Sequence, residues 1–512
     1  MLSYNYTDLK RVVLRIICLV LIINMCLTTQ AQTFVGDFLY KGTYQYIKLE
    51  KKENEWLFSI PYEEVSTKYS INTDPLKSEA WEIQRGFEKW TFKTSHDDHI
   101  LAGTLTTPNN RQEIILRKQN SALPNDLQQN YIGVYEDSEG RKVIVYQRFD
   151  YLQIMSPYSE ESMSLKPIGE HEFWSVSGES SKFSGLENDL FQTLHISSRS
   201  GNHVLERTPG FSVTELWIPV GSDSIFAKLY LPNTSKKAPA CLILPGGGAI
   251  GHENSEYEAR FFAAYGVVSL IFDKPGLGKS KGPGDFRRQN FEERNEGYKE
   301  LYRYLLKHPK VDPSKSGIHG SSGGARLALM MGIDLQDSVS FINAVAAPMS
   351  TREDQQLFAM EIYLRNLGVS ENELIAIKNI WVDYYSGIKS GKIPQDVFVR
   401  AAKFREKNQR LYLPSDSETL PSSTSKSDLE NSRASDQINE IKCPIFFQWG
   451  ENDQRVNYRT GLFKLNAKKE KQLNFSVTLY KRGNHSFMTP EYEICPGYTD
   501  DKIKWLKMIG IL

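Results

Sequence analysis

Neither sign of charge prevails in this 512-residue chain: lysine plus arginine and aspartate plus glutamate each number 62. Without a basic excess, nucleic-acid binding has no overall support. Cysteine is scarce, at five residues. Cys241, Cys443 and Cys495 are the three outside the first 31 positions, too few and too scattered for a metal set or a dense disulfide framework. Cys241 and Cys443 each open an apolar run, where a buried free thiol is the expectation and one disulfide the alternative. His96, His99, His171, His195 and His203 lack ligand-like spacing, so no metal and no cofactor is expected. Long apolar runs are missing after the first, at 16–27, which is shorter than the roughly 20 residues of a spanning helix. Lys10, Arg11 and Arg15 precede it, and Thr29-Gln30-Ala31 follows with small residues at the −3 and −1 positions of a signal-peptidase site. Residues 1–31 therefore read as a cleaved secretory signal, placing the protein in a periplasmic or extracellular setting, with an uncleaved anchor as the alternative. Ile23-Asn24-Met25 before Cys26 lacks the small residue of a lipoprotein signal.

What is present begins as β-structure. Tyrosine and phenylalanine number 26 and 25, many of them in the first half, which favours strands. Short alternating runs such as 44–49 and 142–146, separated by Asn, Asp, Gly and Ser clusters, predict two β-modules at 32–123 and 124–209. Phe34-Val35-Gly36-Asp37-Phe38 and Tyr131-Ile132-Gly133-Val134-Tyr135 are faintly alike, each opening its module. After position 210 the rhythm changes. Runs 216–220 and 225–231 read as a hairpin. Apolar runs at 238–244, 267–272, 341–346, 445–449 and 475–480 then alternate with helical patterns, Phe291, Tyr298, Leu301, Tyr302 and Leu305 forming one face. Buried strands alternating with helices predict an α/β domain over 210–512, its mostly parallel sheet covered on both faces. The alternation breaks at about 349–439, where helices at 357–367, 371–385 and 396–404 and a polar stretch at 415–435 suggest a lid over a pocket.

The chemistry sits in three loops. Gly320-Ser321-Ser322-Gly323-Gly324 matches G-x-S-x-G between a short strand and a helix, making Ser322 the candidate nucleophile; Ser321 is out of register. A hydroxyl needs a base oriented by a carboxylate. Such groups sit in loops at strand carboxyl ends. Gly450-Glu451-Asn452-Asp453 offers Asp453 as the acid, Glu451 second. Lys481-Arg482-Gly483-Asn484-His485 offers His485, the only histidine after position 319. Leu244-Pro245-Gly246-Gly247-Gly248 follows the first long apolar strand, and its glycines leave backbone amides free to face an oxyanion. Gly247 (with Gly248 as alternative) and Gly323 are the expected oxyanion donors. Gly276-Leu277-Gly278-Lys279-Ser280 looks like a phosphate-binding loop, but Asp273 stands where that motif needs glycine. His319 reads as a packing residue.

With these residues in view, 210–512 resembles the α/β-hydrolase superfamily. It is most similar to the exported branch related to prolyl-oligopeptidase-like, dienelactone-hydrolase-like and bile-acid-acyltransferase-like proteins. Asp273-Lys274-Pro275-Gly276-Leu277-Gly278-Lys279-Ser280 looks like that branch's D-x-x-G-x-G-x-S loop, and Val311-Asp312-Pro313 and Gly450-x-x-Asp453 also fit. The resemblance implies an eight-stranded sheet, a Ser322–Asp453–His485 triad and a lid after the sixth strand. Pro245 departs from it, standing where many members have histidine before the glycines. The expected activity is hydrolysis of a small-molecule or peptide acyl substrate, a carboxylic ester first, with a peptidase or acyl-thioesterase as alternatives. A non-catalytic alternative makes the β-modules a glycan- or partner-binding unit and the rest a scaffold.

Overall fold

A computed structural model describes residues 33–512 apart from 41–42, 53–54, 60–67, 72–73, 75–76, 78–79, 86–87, 97–99, 108–109, 120–122, 149–150, 159–160, 176–178, 199–200, 408–410, 412, 415–425, 469–473 and 488–494. The signal segment and most of the polar stretch at 415–435 lie outside the described residues. The chain divides into two compact units. The first comprises residues up to 125 with 164–182 and 196–199; the second comprises 126–163, 183–195 and 200–512.

The first unit holds an eight-stranded sheet, antiparallel in its recorded pairs, in which Thr33–Tyr40 lies between Thr43–Lys52 and Asn110–Gln119. Phe34, Leu49, Trp56, Phe58, Trp81 and Leu116 are buried there. In the second unit Gly133–Glu136 lies likewise between Lys142–Arg148 and Gly201–Thr208. The two stretches that look alike in sequence thus take the same place, as a first strand paired with both the next and the last.

The remainder of the second unit is a sheet of eight strands: β1 (Phe211–Val220), β2 (Asp223–Pro232), β3 (Ala238–Leu244), β4 (Val268–Phe272), β5 (Val311–Ser321), β6 (Ile342–Val345), β7 (Ile445–Gly450) and β8 (Phe475–Tyr480). Their spatial order is β1-β2-β4-β3-β5-β6-β7-β8. β2 is antiparallel to β1 and to β4, and the other pairs are parallel. Every residue of β4, β6 and β7 is buried, which is why these strands read as apolar runs interrupted by one polar residue each, Ser269, Asn343 and Gln448. Helices cover both faces. α1 (Glu256–Ala264) and, at the end of the chain, a helix at Tyr498–Met508 share a core with Val134, Ile144, Tyr146 and Met155, so the strands at 133–156 pack on that face. α2 (Phe291–Leu306) and α3 (Gly323–Leu335) pack on the other. All five residues of the apolar stripe foreseen for α2 are buried. Asn290 caps that helix in a reciprocal box with Glu293, worth about 1 kcal/mol.

Between β6 and β7 the chain leaves the sheet for α4 (Arg352–Asn366), α5 (Glu371–Ser390) and α6 (Gln395–Lys407). These helices run a few residues beyond their sequence-predicted ends and enclose a core of their own around Leu364, Ile377, Ile380, Trp381 and Val397. Cys241, Cys443 and Cys495 are free and buried.

Candidate active site

The turn from β5 into α3 places Ser322. Its backbone has φ 55° and ψ −117°, a conformation that L residues adopt only where the surroundings compel it. The compulsion comes from close packing. A Cβ on Gly320 would lie 2.4 Å from Gly324 O, and one on Gly324 would lie 2.4 Å from Leu244 O and 2.6 Å from Pro245 O. Only hydrogen fits at either position, so the serine is lifted on a turn that its neighbours cannot relax. Ser322 N–H donates to Val345 O (2.8 Å), tying the turn to β6.

The loop after β7 buries Asp453, whose carboxylate is fully shielded from solvent. Its Oδ1 accepts the Arg455 and Val456 amides (2.7 and 2.9 Å). The loop after β8 brings His485 to it, with Nδ1 2.8 Å from Oδ2 and 2.9 Å from Oδ1. A carboxylate only accepts, so Nδ1 carries the proton and Nε2 is left as a base. The two loops are locked together: Asn452 N–H donates to Gly483 O (2.8 Å), and a Cβ on Gly450 would lie 2.3 Å from that same oxygen. Glu451, the second-choice acid, is exposed and faces the Arg482 amide at 3.4 Å.

Ser322 and His485 line one cavity of about 740 Å³, together with Gly246, Gly247, Gly248, Ile250, Tyr257 and Phe487. Gly323 lies against Gly247: a Cβ there would be 3.1 Å from both Gly247 N and Gly247 Cα. The two amides expected to hold an oxyanion are therefore neighbours. No described residue of the helical insertion at 352–407 lines this cavity.

Two features of the site were not read from sequence. His319 is more than packing. Its Nδ1 is 2.7 Å from Asn343 Oδ1, and its Nε2 is 3.4 Å from Ser321 Oγ and 4.0 Å from Glu258 Oε1. Asn343 Nδ2 donates to Gln448 Oε1 (3.0 Å), so Asn343 oxygen accepts and the His319 proton sits on Nδ1. Glu258 in turn accepts from Lys502 Nζ (2.8 Å) and Tyr498 hydroxyl (2.9 Å). The second feature is Lys274, whose Nζ donates to Gly246 O and Gly248 O, both at 2.5 Å. The sequence signal was the Asp273-Lys274-Pro275-Gly276 motif. In the fold Asp273 accepts from His252 Nδ1 and from the His252 and Lys279 amides, each at 2.8 Å. That arrangement makes the supposed phosphate loop an internal brace.

Sheet order, strained serine turn and histidine–carboxylate pair define the class: the second unit carries an α/β-hydrolase fold. Residues 296–496 match the family model "BAAT / Acyl-CoA thioester hydrolase C terminal". Acyl-coenzyme A thioesterase 6 of Mus musculus is 25% identical over 173 residues, 32% of this chain and 38% of that protein. The chain thus spans well under half the length of the curated relative it matches. Among solved structures, the α/β hydrolase GrgF from Penicillium sp. sh18 has a TM-score of 0.39 at 15% identity, covering 58% of this chain and 97% of that one. Est1E from Butyrivibrio proteoclasticus with bound ferulic acid has a TM-score of 0.38 at 14% identity, covering 57% and 96%. The likeness to the BAAT / acyl-CoA thioester hydrolase C-terminal model is confined to residues 296–496, within the unit that carries the α/β-hydrolase fold.

Proposed function

We propose that the protein is an exported serine hydrolase that cleaves a carboxylic ester through an acyl-enzyme. The observation that carries this reading is the His485–Asp453 pair opening on the same cavity as the strained Ser322. Ser322 Oγ attacks the acyl carbonyl while His485 Nε2 takes its proton. Asp453 holds the imidazole in that tautomer and steadies the imidazolium that forms. The Gly247 and Gly323 amides receive the oxyanion. His485 then hands the proton to the leaving group, and water repeats the sequence to free the acid. The fold and these groups supply the chemistry for esters, thioesters and amides alike. A thioester substrate is the second reading, favoured by the acyl-CoA thioester hydrolase match over 296–496. The insertion at 352–407, none of whose described residues lines the cavity, acts in this reading as an outer lid that limits acyl length.

Fluorophosphonate labelling tests the proposal. Wild-type protein is expected to label at Ser322, and Ser322→Ala to neither label nor turn over nitrophenyl esters. A folded wild type that does not label would leave the hydrolase half a scaffold. A panel of nitrophenyl esters, acyl thioesters and aminoacyl anilides then ranks the leaving groups, and faster thioester or anilide turnover would displace the ester.

A further inference from the structure

Lys274 is among the buried cations that the proposed mechanism leaves unused. Lys274 is 2% exposed, and its ammonium lies 4.9 Å from the Phe286 ring centroid. Among the described residues no carboxylate lies within ion-pair distance of it. Asp273 beside it is taken up by His252 and the Lys279 amide, and the other charged group that bears on it is Arg294 of α2. Burying an ammonium without a counter-ion is costly. What this one touches instead is the pair of carbonyls of Gly246 and Gly248, on either side of Gly247.

Peptide geometry turns those contacts into an orientation. No described peptide is cis, and in a trans peptide C=O and N–H point in opposite directions. Holding Gly246 O therefore aims the Gly247 N–H away from Lys274. It does not aim the Gly248 N–H, whose peptide carries the ungripped Gly247 carbonyl. Gly247, whose nitrogen and Cα both stand against Gly323, lines the cavity wall.

We infer that Lys274 is a positioning residue for the oxyanion loop: by gripping the carbonyls of Gly246 and Gly248 it fixes the Gly247 N–H toward the oxygen of an acyl group on Ser322. The inference rests on the serine-hydrolase reading. It also selects Gly247 over Gly248 as donor.

Burial, with Arg294 adding to it, brings the Lys274 ammonium down to about 7. Above that pH the amine is neutral, its grip on the carbonyls loses charge assistance, and turnover falls on the alkaline side. Lys274→Met and Lys274→Arg are compared with wild type in nitrophenyl ester kinetics and in fluorophosphonate labelling rate across pH 5.5–9. Lys274→Met is expected to lower kcat roughly ten- to hundredfold, less than the roughly 10²–10³-fold that outright loss of one oxyanion donor costs, with KM within about twofold. Lys274→Arg keeps its charge at every pH tested, so its alkaline decline is expected to move upward from about 7. Unchanged kcat in folded Lys274→Met, or a change in KM alone, overturns the inference. If Lys274→Met does not fold, Lys274→Arg decides: the same alkaline decline as wild type overturns it. A wild type that never labels sinks the hydrolase reading and this inference together. A wild type that labels, beside Lys274 variants that label at its rate and pH dependence, sinks this inference alone.

Discussion

Ser322 holds a backbone conformation costing of order 1–3 kcal/mol, and the packing of Gly320 and Gly324 sustains it. Gly324→Ala has nowhere to put a methyl 2.4 Å from Leu244 O. It is expected to destabilise by about 1–3 kcal/mol, measured by urea unfolding, and to lose labelling even where folded; a stable, active variant would contradict the packing argument. Asp453 fixes the His485 tautomer, and Asp453→Asn offers an amide that can donate where Nδ1 must donate. Turnover is expected to fall roughly 10⁴-fold with the fold intact. The matched control, Glu451→Gln, is expected to change it less than twofold; equal losses would move the acid to Glu451. Ser322 and His485 were legible because one is framed by glycines and the other has no rival downstream. Asp453 over Glu451 was a matter of two positions in a turn, decided by which carboxylate the turn buries. Lys274 was legible as a motif residue and illegible in its role, since its carbonyl partners lie 28 and 26 positions earlier.

At the scale of elements, the strands were legible wherever burial on both faces made them predominantly apolar. The helical insertion was legible as helices, and its purpose was not: its apolar positions record only that it has a core. Ile377, fully buried in that core, is the residue to remove. Ile377→Ala is expected to cost about 2–5 kcal/mol locally, detected as faster proteolysis within 352–407. If the insertion works as a lid, the variant also broadens acyl-length preference while leaving nitrophenyl acetate turnover within about twofold. An unchanged length profile in a protease-sensitive variant would make the insertion a passive excursion. The polar stretch at 415–435 is tied down at its far end, which limits where it can be shortened. Asp428 Oδ1 accepts the Phe291 amide at 2.7 Å, and Arg433 pairs with Glu292 and Asp334. Deletions therefore belong within 415–425.

For the whole molecule, the buried polar network behind Ser321 makes stability depend on acid. Burial, with Lys502 adding to it, lowers His319 from 6.5 to about 4, so the native state keeps it neutral where the unfolded chain protonates it. Its contribution is present above about 6.5 and is lost as pH falls from there toward 4, by up to about 3 kcal/mol. Glu258 is held below the usual carboxylate range: burial pushes it up, and Lys502, His319 and the Tyr498 hydroxyl together outweigh burial. Its contribution is present above the unfolded carboxylate value of about 4 and is lost below it. Urea unfolding at pH 7.5, 5.5 and 4.5 is expected to show a steady loss that His319→Gln flattens above pH 4.5. Equal slopes in both proteins would remove His319 from the account.

The sequence by itself determined the elements of the second unit, their order and the three loops that carry the candidate site residues, because strand and helix periodicity, glycine punctuation and chain order are local or one-dimensional signals. It also held the likeness between the two opening β-stretches. Only the tertiary structure decided which carboxylate meets His485, which glycine carbonyls Lys274 grips, that His319 belongs to a hydrogen-bonded chain, and that strands at 133–156 pack on the helices of the same unit. Each of those depends on groups far apart in the chain being held within hydrogen-bond or van der Waals reach, and no local pattern of residues encodes that closeness.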